Sequence, residues 1–167
     1  MDEELVNLAR QYALTRGITL HERLGFGIHG IVFAAEDKVK PGFFAVKFHR
    51  EHVPFTRECR AYQRLHEEQV TRILGFNVPQ LLRIDEEWHA IEMTIVPRPF
   101  LLDFADGFLD RPPDFSEDVL TQWEQDKQEI FGKKWPAVTE VLAAIRVFGI
   151  HLLDINPANI AFGEPSD

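Results

Sequence analysis

Glycines, one lysine and one glutamate stand out as the residues whose type and order could grip a phosphorylated ligand. Gly25-Phe26-Gly27-Ile28-His29-Gly30 is a G-x-G-x-x-G run, and the missing Cβ atoms let backbone N–H groups close on phosphate oxygens. The segment after it decides between two uses. A dinucleotide fingerprint needs a helix directly after the glycines. Here Ile31-Val32-Phe33-Ala34-Ala35 reads as a strand, so the glycines sit in a hairpin, which argues against NAD and for a flap over nucleotide phosphates. Ala45-Val46-Lys47-Phe48 then sets a lysine inside an apolar run. Its ammonium must reach a solvent edge or a paired anion, and Glu58 on the following helix offers that anion. Further on, Asp154 and Asn159 share one polar stretch, Asp154-Ile155-Asn156-Pro157-Ala158-Asn159.

Each of these has a plain structural reading as well. The glycines can be a simple hairpin turn, Lys47 a lysine snorkelling at a strand edge, and Asp154 with Asn159 a polar turn.

The elements that would position these residues come from periodicity. Met1 to Thr15 has helical spacing, with Gly17 as its stop. Residues 18–25, 30–36 and 42–49 read as three antiparallel strands split by glycines and turns. Pro54 opens a helix from Phe55 to Gln69, with Cys59, Tyr62 and Leu65 on one face. Strands follow at Gln80–Asp85 and His89–Val96, and Pro97-Arg98-Pro99 marks an internal boundary. Phe100–Leu109 reads as a short helix, residues 114–131 as an acidic stretch of weak amphipathicity, and Pro136–Phe148 as a strong helix closed by Gly149.

In collinear order from Ile18 to Ile160, these motifs resemble protein kinases. Gly25–Val32 resembles the G-x-G-x-x-G-x-V loop, Ala45-Val46-Lys47 the lysine strand, Glu58 the helix glutamate that pairs with it, and Asp154–Asn159 the catalytic loop. The resemblance implies an α+β, protein kinase-like fold: a five-stranded antiparallel sheet with an αC-type helix in an N-lobe, residues 1–97, and a reduced helical C-lobe, residues 98–167. It implies ATP and Mg²⁺ as cofactors. Gly25, Gly27 and Gly30 would lie over the phosphates, with Lys47 on the α/β-phosphates and Glu58 fixing it. Val32 and Ala45 would enclose the adenine, Met93 would stand at the gatekeeper position, and Ile95 and Val96 would lie in the hinge Thr94-Ile95-Val96. Asp154 would be the base or substrate-orienting group, and Asn159 the metal ligand.

The departures bear on activity. Leu152 and Leu153 replace the histidine and arginine before the catalytic aspartate, and Asn156 stands where Ser/Thr kinases carry a lysine. No Asp-Phe-Gly follows Asn159. Ala161-Phe162-Gly163 lacks the carboxylate and comes too early, and Glu164 and Asp167 are the only later carboxylates. Two functions are therefore expected from different classes: phosphoryl transfer from ATP to a hydroxyl, or an inactive pseudokinase whose partner is a protein covering the reduced C-lobe. The methionine start and polar end fit a natural short protein.

Composition narrows the setting. The chain has 167 residues and a net charge of −9, and nine acidic against two basic side chains fall in 103–129. That stretch is expected to be a solvated face, and it disfavours nucleic acid or an anionic membrane as a partner. One cysteine, Cys59, excludes an internal disulfide and reads as a small core residue in a reducing, cytoplasmic protein. The apolar runs are too short to span a bilayer. His49 and His52 read as surface histidines, and His151 is given no role.

Overall fold

Glycines punctuate the first part of the chain, and the backbone turns at them. Gly17 (φ 73°) separates helix α1 (Glu3–Arg16) from strand β1 (Ile18–Phe26), and Gly42 (φ 134°) lies between β2 (Gly30–Asp37) and β3 (Phe43–His49). The computed structural model describes residues 3–163, so Met1, Glu164 and Asp167 lie outside the described residues. Helix α2 (His52–Glu67) follows, with Pro54 in its first turn, where a missing N–H costs nothing. Short strands β4 (Arg72–Ile73) and β5 (Phe76–Asn77) lead to β6 (Leu81–Asp85) and β7 (Ala90–Met93). The remainder comprises β8 (Phe100–Leu101), β9 (Phe108–Leu109), α3 (Glu117–Phe131), α4 (Trp135–Arg146), β10 (Ile150–His151) and β11 (Ile160–Ala161).

The result is a mixed α+β architecture around a five-stranded sheet, ordered β1-β2-β3-β7-β6 and antiparallel throughout. Strand β3 is its pivot, because period-2 alternation gives each face its own core. Phe44, Val46 and Phe48 join Leu5, Ala9 and Tyr12 of α1 on one side. Ala45 joins Phe55, Cys59, Tyr62 and Leu65 of α2, and Val138, Val141 and Ile145 of α4, on the other. Each fully buried Phe or Val contributes about 1.5–3 kcal/mol. One charged group sits on the α1 side. The Glu92 carboxylate, 3% exposed, accepts from the Tyr12 hydroxyl at 2.8 Å and from Arg16 Nε at 3.1 Å. Burial and that carboxylate hold the Tyr12 hydroxyl well above its ordinary pKa.

Three expected elements need correction. Residues 100–109 are not a helix but two short strands, β8 and β9. Asp103 takes φ 63° between them, a left-handed value that interrupts a right-handed helix. The strand expected to reach Val96 stops at Met93, where the Gln80 N–H turns to the Thr94 side-chain Oγ1 at 2.8 Å instead of continuing the backbone ladder. The acidic stretch forms a full helix, α3, whose N-cap Ser116 accepts from the Val119 N–H.

Two small sheets tie the second half together. Strand β8 lies between β5 and β11, and β9 pairs with β10. The antiparallel β8–β11 ladder, Leu101 opposite Ile160, brings the segment after β8 beside the segment before β11. No helix among the described residues is long and apolar enough to cross a membrane.

Candidate functional site

Alternation along β3 places Ala45, Lys47 and His49 on the face toward α2. Glu58, one of the fully buried residues of α2, meets them there. Lys47 Nζ lies 2.7 Å from Glu58 Oε2 and 2.9 Å from Asp103 Oδ1. His49 Nε2 approaches the same Glu58 oxygen at 2.5 Å, and the Phe104 N–H donates to Glu58 Oε1 at 3.4 Å. Burial alone would neutralise both ions. It pulls the Lys47 pKa down, but Glu58 and Asp103 outweigh it and hold the ammonium above its ordinary value. Burial likewise pushes Glu58 up, but Lys47 and His49 outweigh it and bring the carboxyl down to about 2. Both directions describe one ion pair, stabilised by its own hydrogen bonds.

This pair sets an acid limit on stability. The Glu58 carboxyl titrates lower in the folded chain than its ordinary 4.5. Its contribution is therefore complete above 4.5 and is lost as pH falls toward about 2, by at most about 1.4 kcal/mol per pH unit. Urea midpoints across that window should fall more steeply in the wild-type chain than in Glu58→Gln.

Asp103 is the residue that sequence reasoning missed. It belongs to the stretch expected to be a solvated acidic face, yet its carboxylate faces Lys47, and its Oδ1 also accepts from the Ala105 N–H at 3.3 Å. A direct backbone bond, Leu102 N–H to Asn159 O at 2.8 Å, holds it beside the loop that carries Asn159. The available signal is Leu102-Asp103-Phe104, an acid–aromatic pair ending an apolar run, ahead of Asp154 in the chain. His49 also needs correction. It is 2% exposed and bound to Glu58, not at the surface. His52 is exposed, with its Nδ1 3.4 Å from His89 Nε2.

Asp154 is exposed, and Asn159 Nδ2 donates to its backbone O at 3.4 Å. Asn156 shapes the loop between them, its Oδ1 accepting from the Ala158 N–H at 2.8 Å and the Asn159 N–H at 3.3 Å. The acidic helix supports the same loop. Trp123 Nε1 donates to Leu153 O at 2.9 Å, and Lys127 Nζ to Ile155 O at 2.7 Å. Replacing Trp123 with Phe keeps an aromatic ring and removes the donor, so it should cost about 0.5–1.5 kcal/mol. Hydrogen exchange at the Asp154–Asn159 amides should quicken in that variant.

The glycines divide by role. A Cβ on Gly30 would lie 1.9 Å from Phe48 O, so Gly30 is required by the packing of β2 on β3. A Cβ on Gly27 would meet nothing within 4 Å, and one on Gly25 only Val32 at 3.7 Å. The Gly27 N–H donates to Gly30 O at 3.0 Å and closes the turn. On the strands behind it, Val32 pairs with Lys47 and Ala45 with Met93. Met93 is buried, Val96 half-buried, and Ile95 exposed. Cys59 is buried as expected, and burial with the nearby Glu58 pushes its thiol up to about 12, which makes it a core residue and not a nucleophile.

No protein-family model and no curated protein matches the chain. Among solved structures, it is similar to the kinase domain of Mycobacterium tuberculosis PknI, crystallised as a cysteine-to-alanine variant, at 20% identity and a TM-score of 0.41. The match covers 86% of this chain and 53% of that one. The chain thus spans about half the length of the kinase domain it matches.

Proposed function

We propose that this chain is a kinase-like protein that binds ATP and transfers its terminal phosphoryl group to a hydroxyl of a protein or small molecule. The observation that carries this reading is the buried Lys47 ammonium, held between Glu58 and Asp103 on the sheet face that the glycine turn borders. A lysine locked by a helix carboxylate presents a fixed positive charge to α/β-phosphate oxygens. Gly25 and Gly27 leave open space where a Cβ would intrude on those oxygens. Val32, Ala45 and Met93 supply apolar walls for adenine, with Ile95 and Val96 beside them as hinge backbone.

A magnesium ion calls for hard oxygen donors, and the residues present fit it. Asp103 has a second carboxylate oxygen beyond the one facing Lys47. Asn159 has its carboxamide oxygen, since its Nδ2 is turned to Asp154 O. Magnesium held there would neutralise charge on the phosphates. In protein kinases the metal carboxylate follows the catalytic loop in chain order. In this reading Asp103 precedes the loop and reaches the site through the β8–β11 ladder. Asp154, exposed on the β10–β11 loop, would orient the acceptor hydroxyl and take its proton. Asn156 builds the turn. The single buried thiol fits a reducing, cytoplasmic setting.

A second reading, a non-transferring module that binds a protein partner, is favoured by one observation. Two surface hollows of about 370 and 400 Å³ lie on the helical half, away from Lys47. Trp123, Trp135 and Leu142 line the first, and Phe131, Lys134 and Phe162 the second. Thermal unfolding of the full chain with ATP, with and without Mg²⁺, separates the two. Nucleotide binding, which transfer requires, predicts a Mg²⁺-dependent rise, worth about 2.7 kcal/mol at a hundredfold excess over Kd. Absence of any nucleotide effect would sink the first reading and leave the second.

A further inference from the structure

The tip of the glycine turn aims an imidazole at two carboxylates from distant parts of the chain. His29 Nε2 lies 2.5 Å from Asp106 Oδ2. One ligand atom from each of His29, Asp106 and Asp154 lies within 4.8 Å of the other two. The three come from the β1–β2 turn, the β8–β9 connection and the β10–β11 loop. A single ion with bonds of about 2.0–2.2 Å would replace the His29–Asp106 hydrogen bond, parting those two atoms by roughly 1 Å, with all three donors within reach of a small side-chain adjustment.

The donor set narrows the ion. Mg²⁺ and Ca²⁺ take oxygen ligands, whereas an imidazole nitrogen with two carboxylate oxygens suits a first-row transition ion, zinc above all. Charge points the same way. Asp103 has Lys47 as counter-ion, but among the described residues Asp106 and Asp154 have no lysine or arginine ion pair. The turn is also held in place from outside. The Arg50 N–H donates to His29 O and Arg50 Nε to Ile28 O, each at 3.1 Å. Such outer contacts orient metal ligands.

We infer that His29, Asp106 and Asp154 form a binding site for a divalent transition ion of the zinc type. The ion pins the glycine turn to the Asp154 loop. It needs no nucleotide. Where the nucleotide reading also holds, the ion withdraws Asp154 from the acceptor hydroxyl, so zinc opposes transfer.

The test uses the full chain, stripped with a chelator and titrated with Zn²⁺ against a chromophoric competitor, without nucleotide. One Zn²⁺ per chain is expected, with Mg²⁺ failing to displace it, and Co²⁺ in its place should give visible absorption bands. His29→Ala should weaken Zn²⁺ about tenfold or more, and Asp154→Asn should do likewise. Asp154 is exposed, so that variant should keep the wild-type circular dichroism spectrum. The double variant His52→Ala/His89→Ala should retain wild-type affinity. The assignment is overturned if the chain binds no stoichiometric Zn²⁺, or if His29→Ala and Asp154→Asn leave the affinity unchanged.

Discussion

Lys47→Met should cost about 3–5 kcal/mol of folding stability and abolish any nucleotide-dependent rise in Tm. Methionine fills nearly the same volume, so the loss is electrostatic. It strands the Glu58 carboxylate, 0% exposed, with His49 and the Phe104 N–H as its remaining hydrogen-bond partners among the described residues. Asp103, 31% exposed at its side chain, can turn to water and adds less. The double variant Lys47→Met/Glu58→Gln should recover much of the loss, because a neutral amide replaces the stranded charge. Urea unfolding of wild type, both single variants and the double variant gives the coupling energy directly. A Lys47→Met variant as stable as wild type would mean that the pair is open to water.

Gly30→Ala should be nearly as damaging for a steric reason. The new Cβ would meet Phe48 O at 1.9 Å and His49 Cα at 3.2 Å, and both are backbone atoms with no freedom to swing aside. Strand β2 must lift off β3 where Gly30 pairs with His49, next to the Lys47–Glu58 pair. A loss of about 3 kcal/mol is expected from overpacking, read as a lowered urea midpoint and reduced soluble yield. Gly27→Ala is the contrast. Open space surrounds that position, so stability should stay within about 0.5 kcal/mol, while ATP affinity falls because the methyl intrudes on the phosphate approach.

Legibility in the sequence tracks the range of the forces involved. The central sheet is legible because β1, β2 and β3 are consecutive and their glycine turns are local signals. Lys47 with Glu58 is legible because an ammonium in an apolar strand demands an anion. His49 is easily misread, although its alternation with Ala45 and Lys47 places it on the same inward face. Asp103 is hidden for a different reason. It lies just beyond a two-residue strand with no readable period, and that strand is ordered by β11 far along the chain. Helix α3 is easily underestimated because most of its surface is exposed. Trp123, Lys127 and Phe131, spaced by four, are the stripe that faces inward.

Asp103 stands at the centre of the proposed chemistry, as the proposed metal carboxylate. Equilibrium binding of a non-hydrolysable ATP analogue, with Mg²⁺ and with chelator, tests this role most directly when wild type and Asp103→Asn are compared. Mg²⁺ should tighten wild-type binding about tenfold or more, a difference of about 1.4 kcal/mol. Asp103→Asn should abolish this difference while still binding the nucleotide weakly. An Asp103→Asn chain with undiminished Mg²⁺ dependence, or a wild-type chain that binds no nucleotide, would contradict it.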